Sequence, residues 1–210
     1  MQLLLGSRRY SSWSLRGWLA VRMAGLPAQE TVVPLADGVT AELARQSPTG
    51  LVPVLKLKDV TIWDSLAIAE YCAEHTPTLW PQDQARRAVA RAVAAEMHAG
   101  FAALRREFPM SLTRAPLERQ PSAAAAADIQ RIEQVWHDCL KAGGPFLFGD
   151  APTIPDILYA PVVTRFLTYQ VRLSNRAAGY CQSIRSWDLM QLWYDLAAAE
   201  PEGWRLAKYE

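Results

Sequence analysis

Hydroxyls, a carboxylate and a proline are the residues of this chain whose types and spacing could do chemistry. In Tyr10-Ser11-Ser12-Trp13-Ser14-Leu15-Arg16 a serine-rich loop enters a helix directly after an apolar strand. Backbone N–H groups and a hydroxyl at a helix start can stabilise a thiolate and lower the pKa of a thiol. Ser11 or Ser12 also reads simply as an N-cap. The second cluster runs from Ser47 to Cys72. Pro48 and Gly50 punctuate a turn, an apolar run follows at 52–57, and Lys58-Asp59 turns the chain back into 60–62, which reads as a hairpin. Pro53 stands where the first strand begins, a place that need not donate to a ladder, so backbone groups such as those of Val52 are left for an outside partner. Asp64 is a good N-cap, and the apolar spacing after Ser65 starts a helix there. A helix start favours anions. A strand edge interrupted by proline, beside a helix start carrying Asp64 and Ser65, could hold a peptide-like ligand by its backbone and its carboxylate together. The same stretch also reads as no more than a hairpin followed by a capped helix.

The elements that must position these residues follow the chain. Gln2 to Leu5 fits a short buried strand, and Leu15, Trp18, Leu19 and Met23 recur at helical steps until Gly25 supplies a stop. A second strand over 30–35 and a short helix over 41–46, after Asp37-Gly38, precede the hairpin. A strand, helix, strand unit lies parallel and a hairpin antiparallel, which gives a small mixed four-stranded sheet covered by helices. This α/β unit is expected to occupy residues 1–75. The proline-bracketed stretch 76–82 is a linker, and residues 83–210 are helical throughout.

In that second half, Val89, Val93, Met97, Phe101, Leu104 and Phe108 form an apolar stripe, with Arg86, Arg87, Arg91, Arg105 and Arg106 read as a solvated basic face. Ser122 starts a helix through five alanines and the ladder Ile129, Ile132, Val135, Trp136, Leu140. Thr153-Ile154-Pro155-Asp156 is a helix start of capping-box type with proline in the first turn, and its role is read as structural. Two short helices fit 177–184 and 187–198, and the tail from Glu200 is expected to lie over the surface.

Composition narrows the function class. Half of the 210 residues are hydrophobic and a fifth charged, with a formal net charge of +1, which gives no argument for nucleic acid or an anionic membrane. No apolar run approaches the roughly 18 residues of a spanning helix, and no leader-type N-terminus is evident, so a cytoplasmic location is expected. Cys72, Cys139 and Cys181 have no pairing or metal-ligand spacing and read as small core residues. His75, His98 and His137 are scattered and receive no catalytic role, and no metal is expected. Phosphate-loop, dinucleotide and nucleophile-elbow signatures are missing.

Taken together, Ser-Ser-x-Ser-x-Arg after the first strand, Ser-Pro-x-Gly-x-Val-Pro-Val-Leu before the hairpin and Asp-Ser-Leu-Ala-Ile-x-Glu-Tyr at the next helix resemble the glutathione S-transferase family. Gly149-Asp150 with Thr153 and Asp156 in a helical second half is similar to that family's C-terminal domain. The nearest class by its serine loop is the zeta type. The resemblance implies a thioredoxin-like domain that binds glutathione as co-substrate, a helical domain that completes the pocket for an electrophilic small molecule, and a homodimer. It implies a cis Pro53, with the Val52 backbone pairing the cysteinyl part of glutathione. Asp64 and Ser65 would receive the γ-glutamyl end, and Ser11 would hydrogen-bond the thiolate, with Ser12 as the competing candidate.

The implied reaction is conjugation of glutathione to an electrophile. The alternatives are isomerisation of a maleylacetoacetate-like acid, peroxidase activity or a non-catalytic glutathione-binding module. Arg16 then matters either for an anionic substrate or for the first helix alone. Leu51 departs from the polar residue usual before Val-Pro, so the contact to the glycine carboxylate comes from Arg45 or Gln46 or is missing, and Trp13 alters the entrance. Tyr10, Phe101 and the helix from Ile154 are expected around the co-substrate.

Overall fold

The computed structural model describes residues 1–36 and 39–210; the Asp37-Gly38 pair named ahead of the short helix lies outside the described residues. Strand β1 (Gln2–Gly6) leads through the serine loop into helix α1 (Ser12–Met23), and β2 (Gln29–Val33) and α2 (Ala41–Gln46) follow. The hairpin β3 (Val54–Lys56) and β4 (Thr61–Trp63) then runs into α3 (Ser65–His75). The sheet order is β2-β1-β3-β4, with β1 parallel to β2 and the other pairs antiparallel. This is the mixed thioredoxin-like sheet read from the sequence, and the remaining elements are helical. They are α4 (Gln84–Ala99), α5 (Ala102–Glu107), α6 (Ala123–Cys139), α7 (Ile154–Thr168), α8 (Asn175–Ser186) and α9 (Asp188–Ala198). Among the described residues, no helix is long and apolar enough to cross a membrane.

The two faces of the sheet are packed differently. On one face a large apolar core continues from Leu3, Leu5 and Leu55 through α1 and α3 into the helical half. Trp18 of α1 meets Trp193 of α9 at 5.1 Å between ring centres, and Trp136 of α6 lies edge-on to Tyr159, Phe166 and Tyr180. Aromatic pairs of this kind add about 0.5–1.5 kcal/mol beyond burial. The other face carries a small cluster of Leu4, Val33, Leu43 and Val54, against which Val52 packs.

Some expectations for the helical half are corrected. The apolar stripe does not run through one helix: α4 ends at Gly100 and Phe101 adopts left-handed backbone, φ 61° and ψ 44°. A Cβ at Gly100 would lie 2.7 Å from the Glu96 carbonyl oxygen, so glycine permits the break. Val89 is 53% exposed and leaves the core. Arg105 is not on a solvated face either. Its guanidinium donates to the carbonyls of Gly100 (2.9 Å) and Met97, filling acceptors that the end of α4 leaves open. Cys72 and Cys181 are buried, whereas Cys139 is only half-buried.

The tail does not simply lie over the surface. The Glu200 carboxylate is buried and accepts from Ser7 Oγ (2.6 Å) and the Arg8 backbone N–H (2.6 Å). The fully buried Arg9 donates to the carbonyls of Ala197 (3.0 Å) and Pro201 (2.9 Å). A buried charge requires such partners, and the last turn of α9 offers unpaired carbonyl oxygens. The tail therefore clamps the loop that leads to the serines.

Candidate functional site

The serine loop and the proline edge meet because α1 carries no side chain at Gly17. A Cβ there would come within 2.7 Å of Pro53 Cγ, so the proline ring sits directly on the helix. The Val52–Pro53 peptide is cis, as the resemblance implies. Around this junction opens a cleft of about 780 Å³. Ser11, Ser12, Val52, Pro53, Asp64 and Ser65 all line it, so the structure brings the sequence-selected residues together.

The two serines differ in what they touch. Ser11 is the N-cap of α1: its Oγ accepts from the Ser14 N–H (3.2 Å) and donates to Ser14 Oγ (2.8 Å), which in turn accepts from the Gly6 N–H (2.9 Å). Ser12 is nearly buried, lines both the cleft and an adjoining cavity, and its hydroxyl makes no hydrogen bond among the described residues. It is the serine hydroxyl left available at this helix start.

At the far wall Asp64 caps α3. Its Oδ1 accepts from the N–H groups of Leu66 (2.8 Å) and Ala67 (3.3 Å). Its backbone has φ 75°, a conformation that costs a non-glycine residue about 1–3 kcal/mol and clusters at ligand sites. Its second oxygen lies 3.2 Å from His98 Nε2, which comes from the last turn of α4. The Ser65 hydroxyl beside it is almost wholly buried and lacks a partner. Between these walls no hydrogen bond is made by the Val52 backbone N–H or C=O among the described residues. A polypeptide could pair with those groups while its terminal carboxylate reaches Ser65 and the first N–H groups of α3.

Beyond Ser12 lies a second cavity of about 210 Å³, lined by Tyr10, Trp13, Arg105, Met110, Arg165 and Tyr209 among others. Arg165 projects from α7 and donates to Pro161 O (2.9 Å), while its Nε is buried without a partner. Burial and the neighbouring Arg105 push its pKa down to about 9. Arg105 is also lowered by burial and has an unpartnered Nη1. Arg16 lies behind Trp13, 4.5 Å from the ring centre, and donates from Nε to Leu158 O (2.9 Å). Both of its Nη atoms are buried and unpartnered, and burial drives its pKa well down. Converging cations with spare N–H donors form a place that an anion would relieve.

Sequence reasoning missed four of these features: Gly17, His98, Arg105 and Arg165. The glycine stood in an ordinary helical run, and each of the others sits at helical spacing with nothing local to distinguish it. Phe101, expected near the co-substrate, is instead the buried N-cap residue of α5. Neither Arg45 nor Gln46 lines the cleft, and the Gln46 amide donates to Glu42 (3.3 Å).

Comparison with known proteins adds a further line. Residues 10–75 match the N-terminal domain of glutathione S-transferases and residues 86–198 their C-terminal domain. A maleylacetoacetate isomerase of Rattus norvegicus is 29% identical over 175 residues, covering 80% of this chain and 78% of that protein. Glutathione S-transferase 1 of Dianthus caryophyllus is 39% identical over 93 residues, 42% of this chain and 41% of its own. Among solved structures, a bacterial maleyl pyruvate isomerase described as a zeta-class glutathione S-transferase superposes with a TM-score of 0.72 at 24% identity, covering 96% of this chain and 99% of the other. A Burkholderia glutathione transferase homologue with bound glutathione gives 0.73 at 20% identity, covering 95% and 98%.

Proposed function

This chain belongs to the glutathione S-transferase family, and from that premise we infer that its cleft binds glutathione and holds the thiol as thiolate for attack on a small, acidic electrophile. The binding half of the reading is supported by the fit of a peptide to the unpaired Val52 backbone, the orphaned Ser65 hydroxyl and the capped start of α3. Asp64 takes the γ-glutamyl ammonium, and Ser65 with the helix N–H groups takes the γ-glutamyl carboxylate. Ser12 Oγ donates to the thiolate, while Ser11 fixes the turn that presents it. A charge-assisted hydrogen bond and the positive helix start both favour the ionised sulfur.

The acidic character of the electrophile rests on one observation: Arg105 and Arg165 line the cavity that adjoins Ser12, with guanidinium N–H groups left unpaired. A carboxylate there accepts from both and places its reactive carbon toward the sulfur. Conjugation is the first reading. The same arginines favour a second, cis–trans isomerisation of a maleyl-type acid: the thiolate adds to the double bond conjugated with a carbonyl, the resulting single bond rotates, and expulsion of the thiolate returns glutathione unchanged. A homodimer, a cytoplasmic location and a division into residues 1–75, a linker 76–82 and residues 83–210 complete the proposal.

The test is turnover of a maleyl acid beside a neutral aromatic halide, in the native protein and in Arg165→Met. The variant is expected to lose about tenfold or more in kcat/KM for the acid, the scale of one charged hydrogen bond, and to keep the halide rate. Equal loss for both substrates removes the argument for an acid. Full retention of both does the same.

A further inference from the structure

The end of the cleft away from Ser65 is built unlike the rest. Leu35, Val39, Leu43 and Leu51 line it, continuous with the small apolar cluster on which Val52 sits. A Cβ at Gly6 would lie 2.6 Å from Leu35 and one at Gly50 would lie 2.7 Å from Val39, so both side chains crowd the backbone at this end. Val39 and Leu51 are nevertheless 54% and 62% exposed. Among the described residues lining the cleft there is no lysine or arginine, and the ionisable side chains are Tyr10, Asp64 and His98, with Asp64 and His98 paired to each other.

Among the described residues, the backbone of the turn before Val52 offers no substitute. The Leu51 N–H is taken by Ser47 Oγ (3.1 Å) and Thr49 Oγ1 (3.3 Å), that of Gly50 by the Ser47 carbonyl (3.2 Å) and that of Thr49 by Ser47 Oγ (3.3 Å). With the γ-glutamyl end at Ser65 and the cysteinyl part along Val52, the third residue of the tripeptide reaches this apolar shelf. Among the described residues its carboxylate meets no cation there, and the N–H groups of Thr49, Gly50 and Leu51 are already taken.

We propose that this cleft binds glutathione without a charge contact at the glycyl end, so that uncharged amides and esters of that carboxylate bind at least as tightly as the free acid. The inference rests on the glutathione reading above and adds a specificity set by Leu51 and the shelf of Leu35, Val39 and Leu43. An exposed carboxylate keeps its water and gains nothing, whereas an ester alkyl group covers apolar surface.

Calorimetric titration with glutathione, its glycyl monoethyl ester and its glycyl amide tests this in the full chain. The expected result is a Kd for the ester and the amide equal to or up to about threefold below that of the free acid. In Leu51→Lys the free acid should gain about tenfold while the ester gains nothing, because only the acid acquires a charged partner. A native protein that prefers the free acid by tenfold or more overturns the proposal and leaves the glutathione reading standing. If none of the three ligands binds, the glutathione reading itself falls and the proposal with it.

Discussion

Replacing Ser12 by alanine removes the one serine hydroxyl at the start of α1 that is not already engaged, and its effect can be worked out in advance. A hydrogen bond to a charged group contributes about 1.5–3 kcal/mol net, and about 1.36 kcal/mol corresponds to one pKa unit. The bound thiol should therefore titrate about one to two units higher in Ser12→Ala. At a pH below the native bound-thiol pKa the thiolate fraction, and with it turnover limited by thiolate attack, should fall about 10- to 100-fold, and by less where the native thiol is already ionised. Ser11→Ala should behave differently, because that hydroxyl caps the helix and connects through Ser14 to the end of β1. Loss of a cap costs about 1 kcal/mol, or roughly 2–4 °C in Tm for a chain of this size, with a smaller effect on the thiol. The assay is ultraviolet thiolate absorbance of bound glutathione against pH, alongside thermal melts of both variants. The assignment is refuted if Ser12→Ala leaves the bound-thiol pKa in place while Ser11→Ala raises it at unchanged Tm.

Two further outcomes concern stability. Asp156 is buried and accepts from the N–H groups of Leu147 (3.0 Å) and Thr153 (2.8 Å) and from the hydroxyls of Thr153 (2.9 Å) and Tyr180 (3.1 Å). In Asp156→Asn the amide NH2 faces donors, so denaturant unfolding should show a loss of about 3 kcal/mol; a loss under 1 kcal/mol contradicts this account of the cap. Glu30 is shifted up by burial, but hydrogen bonds from Trp18, Arg8 and Arg22 outweigh that and hold its pKa below the usual range. Its contribution is then complete above the unfolded pKa of about 4.3 and is lost as pH falls through the lower folded value. Glu30→Gln should flatten the acid side of a plot of Tm against pH, and an unchanged acid limb would speak against the shift.

Much of the fold was legible because its signals are local. The capping residues Ser11, Asp64, Ser122 and Thr153, the stop at Gly25 and the turn between β3 and β4 each act within a few residues. The mixture of parallel and antiparallel pairing followed from the kinds of connection, whereas the order β2-β1-β3-β4 is seen only in the structure. Three motifs in the first 75 residues carried the resemblance that implied a shared site for Ser11, Ser12, Val52, Pro53, Asp64 and Ser65, and all six line one cleft.

What the sequence by itself determined is therefore the architecture, the helix starts at Ser11, Asp64, Ser122 and Thr153, and the family resemblance. Tertiary packing alone decided which hydroxyl is available, because Ser11 is engaged by Ser14 and Gly6 while Ser12 faces the cavity. It also turned Arg105 and Arg165, 60 positions apart in the chain, toward one cavity, tied Glu200 to the loop at Ser7, and gathered Leu35, Val39, Leu43 and Leu51 at one end of the cleft. Charge pairing and exposure depend on what lies across the gap, and neighbours brought together from distant parts of the chain leave no periodic trace in it.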